Sequence, residues 1–441
     1  LDVVTGLGAE RILTFAYRLD QSSQFVLKML FLRGVQPAVL ASLIGVAASS
    51  SSDNTNTPDS CDKSAQAKNA IRLFNEKIKN VVVLAQENRS FDTFAGGLNY
   101  TSDIDGLIHR AYCNPKNITI QNDLSVCARP IGVNVEPNDP DHSLSGVSMQ
   151  IFGTYRPNET AVNMGLDSGS MMGFLYEQQT VYNKTNLTTA SRALDYLTPD
   201  HIPVFSAMAE NFCLFDEWFA AVPGPTNCNR AYLTSGTSHG YGNNENFGTS
   251  SPALPQRSIF QQLTEKSMSW INYSDRTAPS TPDAAFYDWT RKTGMNKTNI
   301  LTINRFFDDA KAGKLPQFSY INPECCLYNS YHPPSPVDMG ELFIKQIYEA
   351  LRSSPQWNST LFILTFDEHG GYADHVTPPV NVPAGDNLTW TEKAQEGRML
   401  LLPSRVLVSA CRRFWSRRGL RRARWSIGGG TLEAFIRIRV C

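Results

Sequence analysis

An apolar run that stops abruptly on two carboxylates constrains this chain more than any other feature. Thr360-Leu361-Phe362-Ile363-Leu364-Thr365-Phe366 is β-favouring and apolar at nearly every position, and Asp367-Glu368-His369-Gly370-Gly371 follows at once. Such a run suits a strand buried on both faces, the kind found inside parallel sheets. Open α/β sheets bind ligands beyond the carboxyl ends of their strands, so acidic groups placed there are candidates for metal or proton chemistry. The plainer reading of an Asp-Glu pair is a solvated loop start, and the choice rests on what else the chain supplies.

A second run of the same kind, Lys79-Asn80-Val81-Val82-Val83-Leu84-Ala85, ends in Gln86-Glu87-Asn88-Arg89-Ser90-Phe91-Asp92. Shorter strand patterns lie at 268–273 and 317–321. Val337–Ser353 sets Phe343, Ile344, Ile347, Tyr348 and Leu351 at helical spacing. It leads through Ser354-Pro355 into the 360–366 run, which makes a strand–helix–strand unit of a parallel sheet. Residues 99–200 carry scattered Gly and Asn with little periodicity, and are expected to form loops and short helices capping a site. With 441 residues, 41% of them hydrophobic and 18% charged, the chain can bury a large α/β core. The expected layout is a linker and lead-in at 49–78 and one catalytic domain over 79–397.

The two runs end in Glu87-Asn88 and Asp367-Glu368, whose carboxylate and amide oxygens are the donors a hard divalent cation prefers. Between them in sequence, Pro223-Gly224-Pro225-Thr226-Asn227-Cys228-Asn229-Arg230 is a turn able to expose the Thr226 hydroxyl. A hydroxyl attacks well only when its proton is removed or a metal lowers its pKa. His142, His332 and His375 could hold phosphoryl oxygens or protonate a leaving group, and Arg230 could add a guanidinium fork. Taken singly, each has a plainer role as turn residue, loop histidine or surface charge. Their joint occurrence around strand ends is what argues for a site.

These residues resemble the phosphoesterase family, which holds phosphatidylcholine-type phospholipases C and a group of acid phosphatases within the alkaline-phosphatase-like superfamily. The resemblance is carried by Glu87-Asn88-Arg89-Ser90-Phe91-Asp92, by Pro223–Arg230 with Ser235-Gly236-Thr237-Ser238-His239-Gly240, by His332-Pro333-Pro334, and by Asp367–Gly371 with Asp374-His375-Val376. It implies an α/β/α sandwich with a mostly parallel central sheet and a loop-rich cap. It also implies a divalent metal ion held by Glu87, Asn88, Asp367 and Glu368. Thr226 would be the nucleophile, Asn229 and Arg230 would hold substrate, and His142, His332 and His375 would line the phosphate site. If Asn88 binds metal, its glycosylation sequon goes unused. The implied substrate is a phospholipid or another phosphoester, with transient contact at a membrane surface. An acid phosphatase acting on phosphomonoesters is the alternative, and a catalytically inactive secreted glycoprotein is a third. Cys228 stands where the family's nucleophile turn usually has proline.

Other signals concern export and the chain's end. Residues 29–48 read as a signal peptide, with Arg33 ahead of an apolar stretch and small residues near Ala48, and residues 1–28 as an extension ahead of it. Ten Asn-X-Ser/Thr sequons, at Asn88, Asn99, Asn117, Asn158, Asn183, Asn186, Asn272, Asn296, Asn358 and Asn387, suit a secreted glycoprotein. In that compartment Cys113–Cys127 is the simplest local disulfide. The net charge of −1 gives no general pull toward nucleic acid, and no specific nucleic-acid partner is expected. Residues 398–441 break the pattern, with nine Arg and one Glu over 411–441. That tail reads as a frameshifted or mis-spliced end, with an anion-binding arm as the other reading.

Overall fold

The computed structural model describes residues 72–120, 123–131, 139–181, 186–247, 252–274, 281–324, 329–380, 382, 386–393 and 399–402, together with the backbone of 14–17 and 423–426. The leader, most of the linker, the Asn183 sequon and nearly all of the Arg-rich tail lie outside those residues.

A five-stranded sheet organises the chain. Its strands are β1 (Asn80–Gln86), β2 (Trp270–Tyr273), β3 (Ile300–Leu301), β4 (Phe318–Ile321) and β5 (Thr360–Phe366). They lie in the order β3-β2-β4-β1-β5, with every neighbouring pair parallel. All seven residues of β5 are buried, as are six of the seven in β1, which accounts for their unbroken apolar character. β3 is only two residues long, too short to leave a strand pattern in the sequence.

Helices flank the sheet and aim the site. They include α1 (Phe91–Ala95), α2 (Leu144–Phe152), α3 (Phe174–Val181), α4 (Pro203–Asn211), α5 (Thr226–Ser235), α6 (Ile303–Lys311) and α7 (Val337–Ser353). α7 turns Val337, Phe343, Ile344, Ile347 and Leu351 into the core and packs on α4 and α6. Beyond the end of β5 an aromatic knot holds α1 and α4 together: the Phe94 ring lies 4.8 Å from Phe205, 4.7 Å from Tyr331 and 5.2 Å from Phe366. Glu341 of α7 caps α4, accepting from the Val204 and Phe205 amides at 2.7 and 3.2 Å and from the Tyr331 hydroxyl at 2.8 Å. Among the described residues no helix is long and apolar enough to cross a membrane.

The 99–200 region forms the loops and short helices its sequence predicts, with a two-stranded hairpin that pairs Cys113–Pro115 with Leu124–Cys127. The Cys113–Cys127 disulfide closes that hairpin. The region has its own small core of Val147, Ile151, Met171, Phe174, Leu175, Ala190 and Leu194. Ala373, from the loop after β5, completes it, so the loop that carries the acidic motif is wedged between cap and sheet. Strand structure continues past the point where the sequence pattern fades: Met399–Leu402 pairs antiparallel with Trp390–Lys393.

Candidate active site

Strand register assembles the site. β1 and β5 pair in parallel with Gln86 opposite Phe366, so the next residues, Glu87-Asn88 and Asp367-Glu368, leave the sheet side by side. Asp367 Oδ1 ties the two ends together by accepting from the amides of Asn88 at 3.2 Å and Glu368 at 2.8 Å. The Gly-Gly pair then has a steric purpose. Gly370 and Gly371 have φ of 64° and 72°, and a Cβ would fall 2.4 Å from the Asn88 carbonyl oxygen at the first and 2.5 Å from the Asp141 carbonyl oxygen at the second. Only glycine lets this loop pass so close to both backbones.

All four residues expected to hold metal are buried, with exposures of 2%, 0%, 3% and 0% for Glu87, Asn88, Asp367 and Glu368. Arg230 of α5 sits among them. Its Nε donates to Asp367 Oδ2 at 2.9 Å and its Nη2 to Glu87 Oε1 at 3.0 Å and to the Ala85 carbonyl at 3.0 Å, while Nη1 lies 3.7 Å from Asp283. Burial works against the guanidinium charge, but Asp367, Asp283 and Glu87 overcome it and raise the pKa further. One cation does not balance this much acid. Burial drives the carboxyls of Glu87 and Asp367 upward even though Arg230 pulls both down. Burial would also raise Glu368, but His142, His369 and the Gly370 amide hold it below the usual range.

The donor set fits a hard divalent cation. Glu87 Oε2, Asn88 Oδ1 and Glu368 Oε1 are buried oxygens without a hydrogen-bond partner. Carboxylate and amide oxygens are the donor type a hard divalent cation takes, and a buried polar atom left alone costs about 1–3 kcal/mol.

The histidines divide into two groups. His142 Nε2 lies 3.3 Å from Asn88 Nδ2 and 3.8 Å from Glu368 Oε1, while Nδ1 faces the Pro140 carbonyl at 2.8 Å. Burial alone would lower its pKa, but Glu368 and Asp139 win and carry it to about 9. His332 joins it through Asp139, whose Oδ2 is 3.6 Å from His332 Nε2, and the two rings are 6.3 Å apart. Tyr331 beside it, at φ 69°, is clasped by Arg89, whose Nε and Nη2 donate to its carbonyl at 3.1 and 2.8 Å. His375 instead lies against Asp92 and Asp374.

Thr226 and Asn229 occupy different settings. Thr226 is the first residue of α5, half-buried, and one turn before Arg230 on the same helix face. Asn229 is turned back into its own loop: Oδ1 accepts from the Val222 amide at 2.8 Å, and Nδ2 donates to the carbonyls of Val222 at 3.1 Å and Gly224 at 2.9 Å. The geometry makes Asn229 the brace of the turn that leads into α5, with its amide bonded to the backbone of that turn. Cys228 is a buried thiol whose Sγ donates to the Asn243 carbonyl at 3.3 Å.

Sequence reasoning missed Asp139 and Asp283 as members of this site. Asp139 stands in the Asp139-Pro140-Asp141-His142 stretch, a legible signal, whereas nothing around Asp283 distinguishes it from an ordinary turn acid. It also missed how His369 anchors the loop to the cap, with Nε2 2.8 Å from Gln150 Oε1 on α2.

The model of the phosphoesterase family matches residues 78–419. The chain belongs to the phosphoesterase family. Its relatives include non-specific phospholipase C1 of Arabidopsis thaliana, 35% identical over 318 residues, which are 70% of this chain and 56% of that protein. Non-specific phospholipase C4 of the same plant is 36% identical over 327 residues, 70% of this chain and 57% of the relative. Non-hemolytic phospholipase C of Burkholderia pseudomallei is 26% identical over 348 residues, 70% and 46% respectively. This phosphoesterase chain thus spans between 46% and 57% of the length of those relatives.

Proposed function

We propose that this phosphoesterase is a metal-dependent phosphoric ester hydrolase of phospholipase C type, cleaving head groups from phosphodiester lipids. The observation that carries the reading is the set of three unpartnered buried oxygens at the ends of β1 and β5, in a chain whose relatives are named phospholipases C. Glu87, Asn88, Asp367 and Glu368 would hold the divalent cation, which would draw charge from a phosphoryl oxygen and acidify the attacking hydroxyl.

The chain's own residues supply the rest. Thr226 Oγ1 attacks phosphorus and the lipid alkoxide leaves, giving a phosphothreonine that water then cleaves. Its place at the start of the ten-residue α5 supports this role, because the positive end of a helix dipole favours a phosphate there. Neutralising Glu368 removes the larger carboxylate pull on His142, and returns the imidazole toward the range where it gives and takes a proton at neutral pH. His332, held by Asp139 and by the clasp of Arg89 on Tyr331, faces the same space as His142.

Export fits the same reading. The Cys113–Cys127 disulfide suits an oxidising compartment, and Asn99, Asn158, Asn186, Asn358 and Asn387 are exposed and open to a glycan. Asn272 is fully buried within β2 and donates to Asn322 at 2.8 Å, so its sequon stays bare, as does that of Asn88. Met164 and Leu166, 66% and 74% exposed, suit a transient contact with a lipid surface.

The deciding measurement is phosphocholine release from phosphatidylcholine vesicles against hydrolysis of an aryl phosphate monoester, each with and without chelator. Chelator-sensitive release from the lipid supports the proposal. Turnover of the monoester alone makes the protein an acid phosphatase, and folded, metal-loaded protein that cleaves neither is an inactive member.

A further inference from the structure

We propose that Asp92, Asp374 and His375 form a second divalent-cation site, distinct from the strand-end cradle and suited to a zinc-like ion. The site lies where the loop after β5 crosses α1. Three bonds fix that crossing: Ser90 Oγ donates to the Ala373 carbonyl at 2.7 Å, the Asp92 amide to Asp374 Oδ2 at 3.3 Å and the His375 amide to Asp92 Oδ2 at 2.6 Å, while within the loop the Val376 amide donates to Asp374 Oδ1 at 2.9 Å.

The crossing buries more acid than the hydrogen bonds use. Asp92 and Asp374 are 1% and 0% exposed, and the side chain of His375 is 5% exposed. His375 Nδ1 is 2.6 Å from Asp92 Oδ2, and Nε2 is 3.2 Å from Asp105 Oδ1. Asp92 Oδ1, by contrast, is buried without any hydrogen-bond partner. The imidazole bonds Asp92 and Asp105, Asp374 accepts from two backbone amides, and one oxygen of the buried Asp92 has no hydrogen-bond partner. Buried charge in that state is costly unless a cation neutralises it.

The donor geometry and chemistry name the class of ion. One ligand atom from each of the three residues lies within 4.8 Å of the others. Ligands on one tetrahedral zinc at about 2.0–2.2 Å stand roughly 3.3–3.6 Å apart, inside the 4.8 Å span that holds these three atoms, so small side-chain adjustments bring all three onto one ion. An imidazole among carboxylates selects zinc and its neighbours over calcium or magnesium, which take oxygen alone. Asp105 supplies the outer partner that ligating histidines characteristically have. With Nδ1 turned to the metal, Nε2–H donates to Asp105, itself held by Arg110 at 2.6 Å. Such a site would clamp the loop carrying Asp367-Glu368 onto the helix that follows Glu87-Asn88, without touching substrate.

The test is metal content and location in the full chain, stripped with chelator and re-equilibrated with Zn2+. Wild type is expected to retain two equivalents, His375→Gln one, Asp367→Asn one, and the double variant none. Asp105→Asn should weaken the second site about 10–100-fold while leaving the first unchanged. A zinc anomalous peak between Asp92, Asp374 and His375 in wild-type crystals gives the same answer without any variant, should His375→Gln fail to fold. One equivalent that His375→Gln leaves intact, or an anomalous map without a peak there, overturns the proposal and leaves His375 hydrogen-bonded to Asp92 and Asp105. Loss of the cradle ion alone, seen with Asp367→Asn, bears on the catalytic reading and not on this one.

Discussion

Arg230 offers the sharpest test of how the strand-end cradle is held. The guanidinium bonds Asp367 at 2.9 Å, Glu87 at 3.0 Å and the Ala85 carbonyl at 3.0 Å, with Asp283 3.7 Å away, and it is only 2% exposed. Arg230→Met keeps the volume of the stem and removes the charge. It leaves Glu87, Asp367 and Asp283 buried without their common cation. Removing one partner of a buried ion pair costs about 3–5 kcal/mol, chiefly through the charge left behind. With three carboxylates involved, a loss at the upper end of that range is expected in chelator. Arg230→Lys should fall between, because an ammonium keeps the charge but cannot bond Asp367 and Glu87 together as the fork does. Urea unfolding at pH 7 measures both, with the slope checked for constancy. A divalent cation should restore part of the loss in Arg230→Met, since it neutralises the same carboxylates. A loss below about 1 kcal/mol in chelator, or no response to cation, would refute the electrostatic account.

Thr226→Ala should lower turnover by at least about 1,000-fold while metal content stays at the wild-type value, measured by kinetics beside elemental analysis; full activity would exclude a phosphothreonine. Glu177 is fully buried, both carboxyl oxygens lack a hydrogen-bond partner, and burial with Asp141 nearby pushes its pKa up from 4.5 to about 8. A raised carboxyl contributes stability that is complete below pH 4.5 and lost as pH rises through 8, so Glu177→Gln should match wild type near pH 5 and exceed it by about 2–4 kcal/mol at pH 9; parallel profiles would count against this. Replacing Cys113 and Cys127 together by Ala opens a loop with a sequence separation of 14, and should cost about 3 kcal/mol in calorimetry or urea melts.

The central sheet was legible because β1 and β5 are apolar on both faces, a pattern that only double burial explains. α7 was legible for the opposite reason, since half of it meets solvent and its periodicity survives. β3 and the hairpin strands were not, because two to four residues carry too little pattern to separate a strand from a loop. In the site, the acidic pairs announced themselves by ending apolar runs. Arg230 was visible as a residue but not as the bridge between the pairs, which depends on α5 docking against two strand ends. Asn229 shows the converse. Its motif position was clear, yet its amide is committed to Val222 and Gly224 by a turn geometry that sequence does not display. His375 likewise follows from how the loop after Gly371 crosses α1, a tertiary fact.

The parallel pairing of β1 with β5 also bears on when this protein comes into being. Asn88 and Asp367 are 279 positions apart, yet an amide of one bonds the carboxylate of the other. During synthesis β1 must wait for nearly the whole domain to follow before its second neighbour exists. Until then it is an uncovered sheet edge, apolar on both faces, of the kind other chains readily pair with. A nascent chain paused ahead of Thr360 therefore has neither a site nor a protected edge. Chaperone demand should peak in that interval, and arrival of β5 should end it by creating the cradle and covering β1 together.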